Sequence, residues 1–244
     1  MTIAIAIDSL TKKYGAKTVV DNVSFSIQEG ELFGLLGVNG AGKTTLIKML
    51  SCLTKPTNGE ATLLGNSITK YPEQVHTIIA VSPQETAIAP NLTVRENLEL
   101  MAGVQGLKKA NGKIRADEMI AQFSLQPYEN QRSKTLSGGW QRKLSIAMAL
   151  ISEPQILFLD EPTLGLDILG RRELWALIEK LKEKTTIILT THYLEEAEAL
   201  SDRICIMKNG QMKAIGSAQE LIEISNTTSF EDAFVYFVTE GDVQ

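Results

Sequence analysis

One short stretch, a glycine-rich loop that ends in Lys-Thr-Thr, most limits what this chain can fold into. It fits the phosphate-loop pattern G-x-x-x-x-G-K-[ST] and consists of Gly37, Val38, Asn39, Gly40, Ala41, Gly42, Lys43, Thr44 and Thr45. Residues 31–36 before it predict a buried strand, and residues 45–50 predict a helix. A strand, this loop and a helix in that order predict a site for a nucleoside triphosphate; a plain surface turn is the weaker alternative.

The residue types in this loop explain how it would bind phosphate. Glycines allow unusual backbone dihedrals, so that consecutive N–H groups point inward as an anion nest. The following helix adds roughly half a positive charge at its N-terminus. We expect Lys43 to reach the β- and γ-phosphates and the Thr44 hydroxyl to ligate Mg²⁺.

The composition is that of an ordinary globular protein. The chain has 244 residues, of which 43% are hydrophobic and 22% charged. Its net charge of −5 argues against a nucleic-acid binder with a broad basic surface. The sequence has no apolar run long enough to span a membrane, and its N-terminus lacks the basic residues of a signal peptide. Cys52 and Cys205 are far apart in the sequence and suggest neither a zinc site nor a redox pair. We therefore expect a cytoplasmic protein that meets a membrane only through a partner.

The pattern of predicted elements indicates an α/β fold with a helical insert. Antiparallel strands are predicted before the loop, and residues 1–90 with 153–216 are expected to form the sheet-containing core. Residues 91–152 read as helices, the first with Thr93 as N-cap and Glu96 as its capping-box partner, and residues 217–244 read as a helical tail.

Polar side chains follow several predicted strands. Asp160 and Glu161 end the apolar strand 156–159, where one carboxylate can hold Mg²⁺ and the other can position a water for attack on the γ-phosphate. Gln84 follows strand 77–81, where it can reach a metal or water, and His192 ends strand 185–191. Taken alone, His192 reads more simply as a surface histidine, and Gln84 as part of a turn.

Two further features, a glycine-containing helix start and a tyrosine near the N-terminus, each allow a functional and a plainer interpretation. Ser137, Gly138 and Gly139 open a helix with bare N–H groups, which indicates either a second anion-binding end or an ordinary capped helix. Tyr14 can stack on a base, although on its own an amphipathic rim tyrosine is the favoured interpretation.

In order and spacing, these motifs resemble the ATP-binding cassette (ABC) family of transporter ATPases over nearly the whole chain. The resemblance implies a phosphate-loop NTPase core with a parallel sheet, an antiparallel β subdomain and an α-helical insert, with ATP and Mg²⁺ as cofactors. By this resemblance Tyr14 is the residue that stacks on adenine, and Asp160 and Gln84 are ligands of Mg²⁺. Glu161 becomes the general base and His192 the switch histidine.

The resemblance also implies partners. Ser137, Gly138 and Gly139 would contact ATP held by a second ABC ATPase subunit, with Asp167 at the subunit contact, and two identical chains are the simplest arrangement. Transmembrane permease subunits would place the protein on the cytoplasmic side of the cell membrane, and the subgroup of exporters with ABC-2-type membrane subunits is the most similar. Trp140 departs from the glutamine that many relatives have after Gly139; activity is expected to survive this change.

Two other functions are alternatives to a transporter ATPase. A soluble cassette ATPase acting on ribosomes or DNA usually carries two cassettes or a long coiled-coil insert, and the sequence shows neither a repeat nor sustained heptads. A small-molecule kinase fits the phosphate loop but leaves Ser137, Gly138, Gly139 and His192 without a role.

Overall fold

The computed structural model describes residues 2–182 and 184–239. Within them the strands form one four-stranded and one six-stranded sheet. In chain order the strands are β1 Ile3–Tyr14, β2 Lys17–Gln28, β3 Leu32–Leu36, β4 Asn58–Leu63, β5 Asn66–Ser67, β6 Ile79–Ser82, β7 Ile156–Asp160, β8 Thr186–Thr191, β9 Arg203–Lys208 and β10 Gln211–Gly216.

Nine α-helices lie among and after the strands of the described residues. They are α1 Lys43–Leu50, α2 Pro72–Ile78, α3 Val94–Val104, α4 Lys109–Gln122, α5 Gly138–Ala149, α6 Ile168–Lys182, α7 Leu194–Leu200, α8 Ala218–Ser225 and α9 Phe230–Thr239, with short 3₁₀ turns at Gln126–Tyr128, Ser133–Thr135 and Leu150–Ser152. Between β6 and β7 three α-helices follow one another, as the sequence predicts. None of the helices in the described residues is both long and apolar enough to cross a membrane.

The six-stranded sheet sets the positions of the predicted site residues. Its order is β10-β9-β3-β8-β7-β6, and all neighbours are parallel except the β9–β10 hairpin. Every residue of β3, β7 and β8 is buried, as expected for parallel strands covered on both faces. The carboxyl ends of these strands meet at one edge, where ligands bind in open α/β sheets.

The four-stranded sheet is antiparallel, with the order β2-β1-β4-β5. The sequence predicts antiparallel strands here, and that prediction is confirmed. The apolar alternation of residues 3–7 predicts only the first part of β1, which continues to Tyr14. Its pairing register shifts between Ile7 and Leu10, where Ser9 adopts a φ of 53°. Such an irregularity breaks the alternation of buried and exposed residues from which a strand is recognised.

Two helices were not predicted. The first is α2, which includes residues 77 and 78 although these were expected to begin a strand. The second is α7, which begins just after His192. Both helices have seven residues, too few for a helical period to stand out. The longer α3 begins at the predicted N-cap, and Thr93 and Glu96 form the capping box, which confirms that prediction.

Three apolar clusters hold the elements together. One lies between the two sheets, and a second joins the helices α3–α5 to the other face of the parallel sheet. The third buries Phe230, Ala233 and Phe237 of α9 against Leu36 and Ile206. Up to Thr239 the tail therefore consists of α8 and of an amphipathic helix, α9, that packs on the core. Residues 240–244 of the predicted tail lie outside the described residues.

Candidate nucleotide-binding site

The phosphate loop joins β3 to α1 and has a backbone that favours glycine at two points. Gly40 and Gly42 have φ values of 83° and 105°, in the left-handed region. A Cβ on Gly42 would lie 2.7 Å from the carbonyl oxygen of Val19, and one on Gly37 would lie 2.4 Å from that of Met207. The loop is thus pressed against the neighbouring strand ends.

Lys43 is folded back into the loop. Its side chain is buried, and its ammonium donates hydrogen bonds to the carbonyl oxygens of Gly37 at 2.7 Å and Val38 at 3.3 Å. Burial lowers the pKa of Lys43, and the carboxylates of Glu161 and Asp160 oppose this shift. A cation held in this way is poised for anionic oxygens entering the loop.

Three elements contribute oxygen atoms around Asp160, at the end of β7. The Thr44 hydroxyl of α1 donates to Oδ1 of Asp160 at 3.2 Å, and the Thr190 hydroxyl of β8 donates to the same oxygen at 2.5 Å. A hydroxyl beside a buried carboxylate suits Mg²⁺, which prefers oxygen ligands and keeps several from water and phosphate. Among the described residues there is no group of three acidic, His or Cys side chains that could hold a metal ion.

Glu161 adopts a left-handed backbone conformation, with a φ of 48°. Its N–H donates to the carbonyl oxygen of Thr190 at 3.1 Å and to the Thr190 hydroxyl at 3.0 Å, which fixes this strained turn. Nδ1 of His192 lies 3.2 Å from Oε1 of Glu161. The direction is poor for a hydrogen bond, and this buried ring nitrogen has no hydrogen-bond partner among the described residues.

One cavity of about 440 Å³ collects most of the predicted residues. Its lining comprises the phosphate loop from Asn39 to Thr45 together with Gln84, Glu161, Leu164 and His192, and Val19 from β2. Gln84, Glu161 and His192 therefore converge on the phosphate loop although they come from three distant parts of the chain.

The turn formed by Ser137, Gly138 and Gly139, which we call the signature turn, lies in a separate cavity, the signature cavity. These residues line this second cavity of about 440 Å³ together with Asp167. Ser137 is the N-cap residue of α5, as predicted, but its side chain makes no capping hydrogen bond. The N–H groups at this helix start are therefore not satisfied by the Ser137 side chain.

Trp140, in the same cavity wall, packs within the helical insert. Its ring lies 4.5 Å from the ring of Tyr128, and the ammonium of Lys143 lies 4.2 Å from its centre. Lys143 in turn pairs with Glu173 of α6 at 2.8 Å. The indole thus packs against Tyr128 and Lys143 and also lines the cavity beside Gly138 and Gly139.

Tyr14 is not among the residues that line either cavity. It ends β1 at the hairpin to β2, its side chain is half exposed, and the ammonium of Lys12 lies 4.9 Å from its ring.

Sequence reasoning missed three residues that shape this region. The Thr190 hydroxyl donates a hydrogen bond to Asp160 and accepts one from the Glu161 N–H. A hydroxyl residue within an apolar, fully buried strand was the sequence signal that could have identified it. Glu196 is fully buried beside Trp175, whose Nε1 donates to it at 3.1 Å. Arg142 is buried against the Gln84 loop. Nothing in the local pattern distinguishes Glu196 or Arg142 from the exposed charges beside them.

The chain is similar in sequence to a known protein family and to several of its members. The family model described as ABC transporter matches residues 20–164. The doxorubicin resistance ATP-binding protein of Mycobacterium tuberculosis is 42% identical over 221 residues, covering 89% of this chain and 67% of that protein. The Nod factor export ATP-binding protein I of Ralstonia nicotianae is 40% identical, covering 89% and 68%, and a linearmycin resistance ATP-binding protein of Bacillus subtilis is 40% identical, covering 88% and 69%. The chain spans about two thirds of the length of these relatives.

Solved structures agree with the fold. An ATP-binding subunit of an ABC transporter superposes with a TM-score of 0.85 at 30% identity, covering 96% of this chain and 99% of that one. A dimeric ATP-binding cassette in a post-hydrolysis state, bound to ADP and phosphate, superposes with a TM-score of 0.78 at 28% identity, covering 87% and 98%. The predicted fold class is confirmed.

Proposed function

The chain belongs to the ABC transporter family of ATP-hydrolysing transporter subunits, and from that premise we propose that it powers an exporter through ATP-driven closure of a dimer. Export is supported by the relatives, whose names refer to drug resistance and Nod factor export. The observation that carries the site assignment is the cavity in which the phosphate loop, Gln84, Glu161 and His192 converge.

In this proposal the phosphate loop binds the triphosphate of ATP through its N–H groups. Lys43 exchanges its carbonyl partners Gly37 and Val38 for phosphate oxygens. Thr44, Asp160 and Gln84 hold Mg²⁺, which supplies charge neutralisation for the transferred phosphoryl group when it is bound. The bond that Thr44 already makes to Asp160 supports this grouping because it brings both ligands to one point.

Glu161 is the general base of the proposed reaction. It accepts a proton from a water whose oxygen attacks the γ-phosphorus, while the bond to the bridging oxygen of ADP breaks. The Glu161 backbone is fixed by Thr190, so that its carboxylate is held at the cavity wall. His192 lines the same cavity, with Nδ1 3.2 Å from Oε1 of Glu161, and we assign it the contact to the γ-phosphate.

The second cavity is the reason to propose a dimer. Ser137, Gly138 and Gly139 present bare N–H groups, but they lie in a different cavity from the phosphate loop of their own chain. A second copy arranged head to tail would bring its ATP to these groups, with Asp167 at the contact and Tyr14 on the adenine of its own site. A dimeric structural relative supports this arrangement. We propose two identical chains, since both Asp160 and Glu161 are present.

Transmembrane permease subunits complete the proposed assembly, which places this chain peripherally on the cytoplasmic face of the cell membrane. The relatives are transporter ATP-binding proteins, so the soluble cassette ATPase is not favoured. A kinase would leave the cavity at Ser137 without a function.

Glu161→Gln tests the site and the dimer together. The variant should bind ATP, lose roughly 10²–10⁴-fold in hydrolysis and accumulate as a dimer in ATP and Mg²⁺, as measured by light scattering after size exclusion. Glu179→Gln, an exposed carboxylate of α6, is the matched control and should behave as wild type. Normal turnover by Glu161→Gln would remove Glu161 from its role.

The dependence of activity on concentration tests the dimer separately. If both chains form each site, the specific activity of the wild type should fall steeply on dilution. Specific activity that stays constant down to a proven monomer would contradict the dimer.

The membrane partner is tested by affinity purification from detergent-solubilised native membranes. A polytopic membrane protein in near-equal amount is expected. Recovery of ribosomal or DNA-repair proteins instead would favour the soluble rival.

A further inference from the structure

Arg142 is a buried cation on the helix that begins at the signature turn. It lies in the second turn of α5, and its side chain is only 5% exposed, whereas its neighbours Gln141 and Lys143 are partly exposed. Burying a guanidinium requires compensation by hydrogen bonds or by an opposite charge. Its partners therefore indicate what the residue does.

Those partners are two consecutive backbone carbonyls. Nη1 donates to the oxygen of Pro83 at 2.7 Å, and Nη2 donates to the oxygen of Gln84 at 2.5 Å. Among the described residues no carboxylate lies within 4.0 Å of the guanidinium. The more distant charges of Asp160, Glu161 and Glu196 only partly oppose the lowering of the Arg142 pKa by burial. The two donors of the guanidinium thus fix the backbone on both sides of the peptide bond between Pro83 and Gln84.

A second contact on the same helix face strengthens this link. Ser145, one turn further along α5, places its hydroxyl 3.2 Å from that of Ser82, the last residue of β6. The strand end and the following turn are therefore both fixed to α5. At the other end of the link, Gln84 lines the cavity of the phosphate loop.

The result is a mechanical connection between the two cavities. The start of α5 forms the wall of the signature cavity, and Arg142 ties the same helix to the residue at the phosphate-loop cavity. A shift or rotation of α5 must move Gln84 unless two charge-assisted hydrogen bonds break in a buried environment.

We propose that Arg142 is a positioning residue that couples engagement of Ser137–Gly139 by the partner's ATP to the placement of Gln84 in its own active site. The inference rests on the proposed dimer. By reciprocity, correct placement of Gln84 around bound ATP and Mg²⁺ would favour the orientation of α5 that receives the second ATP.

Arginine suits this position because its planar fork reaches two acceptors at once. Lysine keeps the charge but presents one flexible ammonium, and methionine removes both donors. We therefore expect a graded loss from arginine through lysine to methionine, and a purely steric role would not produce this order.

The test is a double-mutant cycle in the full chain. kcat and KM for ATP are measured at a protein concentration above which the specific activity no longer rises, so that dimer formation does not limit the rate. Arg142→Met should lower kcat about 10- to 100-fold, a size typical of misplaced catalytic groups, and should change KM by less than about 3-fold. Arg142→Lys should fall between. Arg132→Lys, on an exposed arginine of the same insert, should match wild type.

The second arm repeats both substitutions in a Gln84→Ala background. If Arg142 acts through Gln84, the remaining loss there should be less than about 3-fold, because coupled residues are not additive. Equal losses in both backgrounds, or full activity in a folded Arg142→Met, would overturn the proposal.

Folding is followed by thermal melting, and if Arg142→Met melts far below wild type, Arg142→Lys carries the cycle. Failure of the wild type to hydrolyse ATP or to dimerise would count against the proposed function instead.

Discussion

Lys43→Met separates the stability of the phosphate loop from its function. The ammonium of Lys43 is buried on two neutral carbonyls, with no carboxylate within 4.0 Å among the described residues. Methionine fills a similar volume without charge. The variant loses two charge-assisted hydrogen bonds of about 1.5–3 kcal/mol each, but it also escapes a desolvation penalty of several kcal/mol. We therefore expect the free energy of unfolding to change by about 1 kcal/mol or less, or about 2–4 °C in melting temperature.

ATP binding should respond very differently. In the bound state the ammonium would donate to the β- and γ-phosphates, and two bonds at the lower end of that range sum to about 3 kcal/mol. This corresponds to a rise in Kd of roughly 10²-fold. Titration with a fluorescent ATP analogue and thermal melting without nucleotide measure the two quantities. Lys48→Met, an exposed lysine on the same helix, is the control and should change neither.

Two results would refute this reasoning. A Lys43→Met protein that is several kcal/mol less stable without nucleotide would mean that the ammonium is part of the loop's folding. A stable variant with wild-type ATP affinity would mean that the lysine does not reach the phosphates.

Three further predictions follow from buried groups. Arg203→Met should lower the free energy of unfolding by about 3 kcal/mol in urea titration, because it leaves the buried Glu31 carboxylate without its bidentate partner; Glu31→Gln in the same background should recover part of this. Burial raises the pKa of Glu196, so the folded chain retains a proton that the unfolded chain has released. Stability should therefore fall as pH rises from the ordinary carboxyl range through the raised value, and urea unfolding of Glu196→Gln should lack that slope. Gly42→Ala should abolish ATP binding in the same titration, since its Cβ would lie 2.7 Å from the oxygen of Val19.

The sequence predicted the elements whose signals are local. The phosphate loop, the buried strands that lead to Asp160 and His192, and the Thr93 capping box are all encoded by short patterns, and the structure has them where they were expected. The convergence of Gln84 on the phosphate loop also follows from the rule that parallel strands end at one edge.

What could not be predicted depends on contacts between distant parts of the chain. Arg142 and Thr190 acquire their partners only when the insert and the strands have packed. The positive φ of Glu161 has no signature in its residue type, because glutamate rarely adopts it and does so here through Thr190. The assigned roles of Tyr14, Ser137 and the other site residues stay predictions.

The strand order has a consequence for how the protein is made. β3, which carries the phosphate loop, lies between β8 and β9, so that Leu32 is opposite Ile187 and Phe33 is opposite Arg203. During synthesis the first of these strands leaves the ribosome long before its neighbours exist. Until then its apolar edges are unpaired and open to aggregation or chaperones. The nucleotide site is therefore completed only after β8 and β9 have been synthesised, and an arrested chain that stops before β8 would expose a phosphate loop without its flanking strands.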